Sequence, residues 1–215
     1  MNAQLLEGVP LPQRLALSYA PARSRGVNLA LLALDARLGA VVRGAREPIA
    51  SQLRLAWWRE TLAKPAAEWP RGEAVLDALR EWRDPSCVAD LPDAWEVLVA
   101  EQLTSESIAT FVLGRSAAFA CLARQLGVAE TQDAADSAAV WAAADLAANL
   151  SKVEERELVL GYAVQLRPPA RLPSELRALA VLAALGRASL ARGGGPLLGG
   201  PRTALLALRT GLTGR

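Results

Sequence analysis

The chain has 215 residues, of which 52% are hydrophobic and 21% charged, and its net charge is +2. That length and apolar content suit one domain, residues 1–215, with a sizeable core, and they exclude a disordered chain. The absence of histidine excludes Ser-His and Cys-His nucleophilic catalysis and histidine-ligated zinc.

Ala, Leu, Arg and Glu are good helix formers, and they dominate a chain without alternating β-branched runs. The expected fold class is all-α, with eight or nine helices. Pro10 and Pro12 precede a short helix at 13–19 that stops near Pro21. A long helix over 23–43 carries Val27, Leu31, Leu34, Leu38 and Val41 at a spacing of three to four residues. Pro48 opens the next helix, which contains Trp57-Trp58 and ends before the break bracketed by Pro65 and Pro70. Shorter helices follow at 72–83 and 92–103, separated by Asp84-Pro85-Ser86. Ser105 is placed to cap a helix through Ile108, Phe111, Val112, Phe119, Leu122 and Leu126, closed by Gly127. Thr131 or Asp133 opens an Ala-rich helix to about Leu150, and a short helix covers 152–163. Pro168-Pro169 is a hard break. A helix then runs to about Arg192, and two Gly-Pro loops precede an amphipathic helix at 202–212.

No apolar stretch reaches the length of a bilayer span, and the N-terminal residues lack the basic-then-apolar order of a secretory signal. Cys87, in a polar loop, and Cys121, in an apolar helix, are too few and too plainly spaced for a disulfide or zinc framework, which fits a reducing cytoplasm. Charge is uneven along the chain. Residues 161–215 hold eight arginines against Glu175 alone, a net +7 that leaves −5 for the remainder. A basic, Leu-rich end suits an anionic membrane surface or a membrane protein, whereas docking of the last amphipathic helix on its own domain is the plainer expectation. The net charge gives no reason to expect nucleic acid.

On the Trp-Trp helix, Leu53, Trp57 and Glu60 share one side, and Arg54, Trp58 and Leu62 share another. Adjacent tryptophans cannot point the same way, so at least one belongs to the core. Arg54 and Trp58, four apart, are spaced for a cation–π stack.

The run Gln52-Leu53-Arg54-Leu55-Ala56-Trp57-Trp58-Arg59-Glu60 resembles the RL-x-WWR helix of the squalene/phytoene synthase family. The preceding helix, Ala30 to Arg43, follows that family's pattern in outline, as do Arg14-Leu15-Ala16-Leu17-Ser18-Tyr19-Ala20-Pro21 and Arg23-Ser24-Arg25. The resemblance implies an isoprenoid synthase-like helical domain around a central cavity. It also implies two aspartate clusters on facing helices, which hold Mg²⁺ against a leaving pyrophosphate.

The first cluster is replaced here by Gly39, Ala40 and Arg43, with Asp35 one turn early. Over Leu146 to Arg156, Lys152 and Arg156 stand where aspartates belong, while Glu155 keeps its place beside Glu154; a slip of one turn brings in Asp145. The expected function is therefore a synthase-like protein without metal-dependent prenyl transfer, with no cofactor and no metal, serving lipid or isoprenoid binding or assembly. In this it is similar to compact bacterial relatives and to the synthase-like assembly factor of mitochondrial complex I. Arg25, Arg43, Arg46, Arg54, Lys152 and Arg156, with Trp58, are the candidates for an anionic or prenyl ligand. One alternative is a genuine prenyl diphosphate transferase with a reduced Mg²⁺ site built from Asp35, Asp145, Glu154 and Glu155, with Arg25 and Arg54 on the diphosphate. Another is a plain helical interaction module with a filled cavity. The expected location is the cytoplasm, peripheral to the inner membrane.

Overall fold

A computed structural model describes residues 3–44 and 47–214. Among these, eleven α-helices and four short 3-10 turns form, and no strand. The helices are α1 (Ala3–Glu7), α2 (Leu11–Ser18), α3 (Ala22–Gly44), α4 (Pro48–Leu62), α5 (Ala74–Leu79), α6 (Leu91–Glu96), α7 (Ser105–Gln125), α8 (Thr131–Asn149), α9 (Val153–Ala163), α10 (Arg177–Leu190) and α11 (Pro201–Thr213).

The expected all-α class is what forms, with more helices than sequence periodicity separates. The helix expected at 72–83 starts at Ala74, where the Glu73 side chain accepts from the Val75 amide. It stops at Leu79, and the Arg80 side chain that follows reaches back to donate to the carbonyls of Ala66, Trp69 and Pro70. The one expected at 92–103 gives way after Glu96 to a 3-10 turn over Val97–Val99, a β-branched stretch that crowds a regular helix. The cap of α7 is Thr104 rather than Ser105. Its hydroxyl accepts from the Ser107 amide at 3.1 Å while its own amide donates to the Ser107 hydroxyl at 2.9 Å.

α3 lies at the centre. Its run from Asn28 to Ala36 is continuously buried, so it is apolar on nearly all sides, as a helix enclosed by others must be. α1, α2, α4, α5, α6 and α7 pack around it. α7 pairs with α8, α8 with α10, and α10 with α2 and α11. Small residues bring α8 and α10 close: a Cβ added at Gly186 would meet the Trp141 Cα at 3.1 Å and the Ala144 Cβ at 3.2 Å. One apolar core runs from Leu5 to Ala207.

α7 is long and apolar enough to cross a membrane by composition, contrary to the reading of the bare sequence. In the fold a little over half of that stretch is buried in the core, and Arg115 sits in its middle, fully enclosed. α7 is thus accounted for as the core helix of this bundle.

The two cysteines also depart from expectation. Cys87, in the 3-10 turn Pro85–Val88, is joined to Cys121 of α7 across 34 residues, with Cα atoms 6.0 Å apart. Their separation along the chain conceals this, because only the packing of that turn on α7 brings them together. Closing a loop of that length stabilises by about 3–4 kcal/mol in the chain-entropy account. Protein purified without reductant is expected to show no free thiol to a colorimetric reagent until reduced. Cys87→Ser is expected to lower the urea midpoint only when compared under those oxidising conditions.

Candidate functional site: a buried guanidinium between two carboxylates

Asp35, Gly39 and Arg43 succeed one another at intervals of four on α3 and so line one face. Opposite stand Arg115 of α7 and Asp145 of α8. Arg115 is fully buried. Its Nε and Nη2 donate to the two oxygens of Asp35 at 2.9 and 2.6 Å, and its Nη1 donates to Oδ2 of Asp145 at 3.1 Å. The indole Nε1 of Trp95, on α6, adds a bond to Asp35 Oδ1 at 3.0 Å. Aromatic rings enclose the guanidinium, with its carbon 4.1 Å from the Trp141 centroid and 5.1 Å from those of Trp95 and Phe111. The planar fork matches a carboxylate bidentately and its faces suit stacking, which is why arginine fills this place rather than lysine.

The electrostatics follow from burial. Burial works against the Arg115 charge, but Asp35 and Asp145 outweigh it and its pKa is raised. Asp145 is also raised, chiefly by burial. Arg115 pulls it back, the like charge of Asp35 pushes it further up, and Arg43 contributes a smaller downward effect. One guanidinium serves two carboxylates, and Asp35 holds the larger share of it.

Gly39, where the resemblance expects a metal-binding aspartate, has a physical explanation. A Cβ there would lie 2.8 Å from both the Trp95 ring and an Arg43 nitrogen. The space an aspartate side chain would use is filled by those two residues, and Arg43 lies 6.0 Å from the Trp95 centroid. A divalent ion needs oxygen ligands not already taken by another cation. Asp35 has both oxygens bonded, Asp145 retains only Oδ1, and no group of three or more cysteine or acidic side chains gathers among the described residues. This donor set does not fit a shared two- or three-ion cluster.

Two cavities flank the buried triad and share Arg43, Trp95, Asp145 and Asn149 as walls. The larger, 350 Å³, is of mixed polarity and reaches Gln13, whose buried Oε1 has no hydrogen-bond partner among the described residues. The smaller, 190 Å³, is apolar along Val97, Leu98, Leu103, Phe111 and Leu146.

Most of the cations proposed from sequence lie elsewhere. Arg25 donates to the carbonyls of Ala20 and Ser18 and borders a different cavity. Arg156 closes the C-terminal end of α8 through the carbonyls of Ala147 and Leu150. Lys152 pairs with Glu155 at 2.7 Å, and Glu154 is exposed. Arg54 is exposed on α4, while Trp58 is buried and meets Trp57 edge-on with centroids 5.1 Å apart, in place of the expected stack. Arg46 lies outside the described residues. Of the described cations proposed for the mouth, Arg43 is the one that lines it, beside the acids Asp35, Asp145 and Glu155. Sequence reading missed Arg115 and Trp95. The available signal was a charge inside the otherwise uncharged run from Ile108 to Ala123. No family model, curated protein or solved structure matches this chain.

The unequal sharing of Arg115 makes the two acids experimentally distinct. Asp35→Asn should cost about 3–5 kcal/mol in urea unfolding, the range for breaking a buried pair. Asp145→Asn should cost under about 1 kcal/mol or stabilise, because it removes a charge that burial disfavours. A carboxyl whose pKa is raised by folding stabilises most below its ordinary value near 3.8, and that stabilisation is lost as pH rises through the folded value. Lowering the pH across this window should therefore improve the unaltered protein relative to Asp145→Asn.

Proposed function

We propose that this chain is a squalene/phytoene synthase-like protein that no longer carries out metal-dependent prenyl transfer and instead binds an isoprenoid or lipid-like amphiphile. The observation that carries this reading is Arg115 between Asp35 and Asp145. The protein supplies its own cation at the carboxylates that an ionising synthase would need for magnesium. Arg43 offers at the mouth a guanidinium in no ion pair among the described residues, suited to a phosphate or carboxylate head without metal. The apolar wall of the smaller cavity suits the start of a hydrocarbon chain.

The competing transferase reading has one favourable observation: Asp145 and Glu155 both border the smaller cavity. Magnesium can be held by one or two carboxylates together with substrate phosphates, but here each acid already meets a side-chain cation. The interaction-module reading draws on the dense aromatic packing around Arg115.

Incubation with farnesyl diphosphate and Mg²⁺ is the deciding experiment. Expected are no release of pyrophosphate and a change in tryptophan fluorescence on titration, since Trp95 borders both cavities. Arg43→Gln should weaken farnesyl phosphate binding by about tenfold, the value of one charge-assisted contact, and leave farnesol binding unchanged. Pyrophosphate release that disappears in Asp35→Ala overturns the proposal in favour of the enzyme. Absence of any binding favours the interaction module.

A further inference from the structure

α11 turns its leucines away from the protein. Thr203, Ala207, Thr210 and Gly211 are buried, and Gly211 packs so tightly on the Tyr19 ring of α2 that no Cβ would fit. Leu205, Leu208 and Leu212 are 65%, 45% and 71% exposed. On a helix turning about 100° per residue these three fall within roughly 60° of one another, nearly opposite the buried side. Arg202 and Arg209 lie together on one flank of that stripe, both exposed and neither in an ion pair among the described residues. The inward face of the helix is thus small and weakly polar, and the outward face is leucine edged with arginine.

The surroundings carry the same sign. No acidic residue occurs after Glu175. Arg171 and Arg187 border a shallow cavity with Thr210 and Gly214, at the C-terminal end of α11. The chain has another exposed apolar stripe, formed by Ile49, Leu53 and Trp57 on α4. That helix carries both signs of charge, through Glu47 at its cap and Arg54 and Glu60 along it, so nothing there selects an occupant. Around α11 the charge does.

We propose that α11 docks the protein on an anionic lipid bilayer, with Leu205, Leu208 and Leu212 entering the headgroup–acyl boundary and Arg202 and Arg209 meeting lipid phosphates. A helix lying in the interface needs this pairing of a narrow apolar stripe with flanking cations. The segment leading into α11 also borders the larger cavity through Pro196 and Leu197, which couples the docking surface to the mouth along the chain. The proposal stands independently of what the cavity binds.

Co-sedimentation with vesicles tests it. The full chain should pellet with phosphatidylglycerol/phosphatidylcholine vesicles, stay in solution with phosphatidylcholine alone, and be released as salt rises. Leu205→Gln/Leu208→Gln/Leu212→Gln should lose at least tenfold in partitioning with an unchanged circular dichroism spectrum, because all three side chains are exposed. Arg202→Gln/Arg209→Gln should lose about fivefold for each arginine on anionic vesicles. Failure to pellet with anionic vesicles overturns the proposal, as does binding that the leucine variant leaves intact. So does a dimer in light scattering that the leucine variant converts to monomer, which would make the stripe a contact between two copies of this chain.

Discussion

A single buried charge organises the middle of this protein. Burying an arginine costs several kcal/mol after relaxation, and a site that buries one must return that energy through carboxylates and well-made hydrogen bonds. Arg115 recovers it from Asp35, from Asp145 and from three aromatic faces. Those partners come from α3, α6, α7 and α8, so the alignment of four helices is fixed by one guanidinium. Apolar packing alone would let such helices slide; a bidentate pair with a ring on each side admits one arrangement.

The same arrangement determines what chemistry the centre can support. Trp95 and Arg43 occupy the space beside Gly39, and among the described residues the one carboxylate oxygen of the triad left without a bond is Oδ1 of Asp145. Carboxylate oxygens already bonded from within have little to offer an external divalent ion. The cavities on either side keep a cation and an apolar wall, the two elements that an amphiphile with an anionic head requires. The outer surface repeats this combination on a larger scale, where the α11 leucines lie beside arginines in a stretch of chain that holds no acid after Glu175.

Much of the helical framework was legible from residue order. α3, α4, α7, α8, α9 and α11 all begin and end close to where proline, glycine and apolar spacing place them. The region 72–103 was less so, because its short turns are held by side chains such as Arg80 reaching back over ten or more residues. Asp35 and Asp145, candidates by residue type and position, do come together, but as partners of an arginine that local pattern gives no reason to choose. Arg25, Lys152 and Arg156, candidates by their charge, serve instead in capping and a surface pair.

Residue order alone determined the helical class, the lack of histidine chemistry, the small neutral residues Gly39 and Ala40 where the resemblance expects aspartates, and a basic final quarter, because composition and spacing act locally and survive any packing. Tertiary structure alone decided that Arg115, eighty residues from Asp35 and thirty from Asp145, would bond to both, that Cys87 would meet Cys121, and that the α11 leucines would face outward. Each of these depends on distances between segments remote in the chain, and such distances are set by which helix faces pack together.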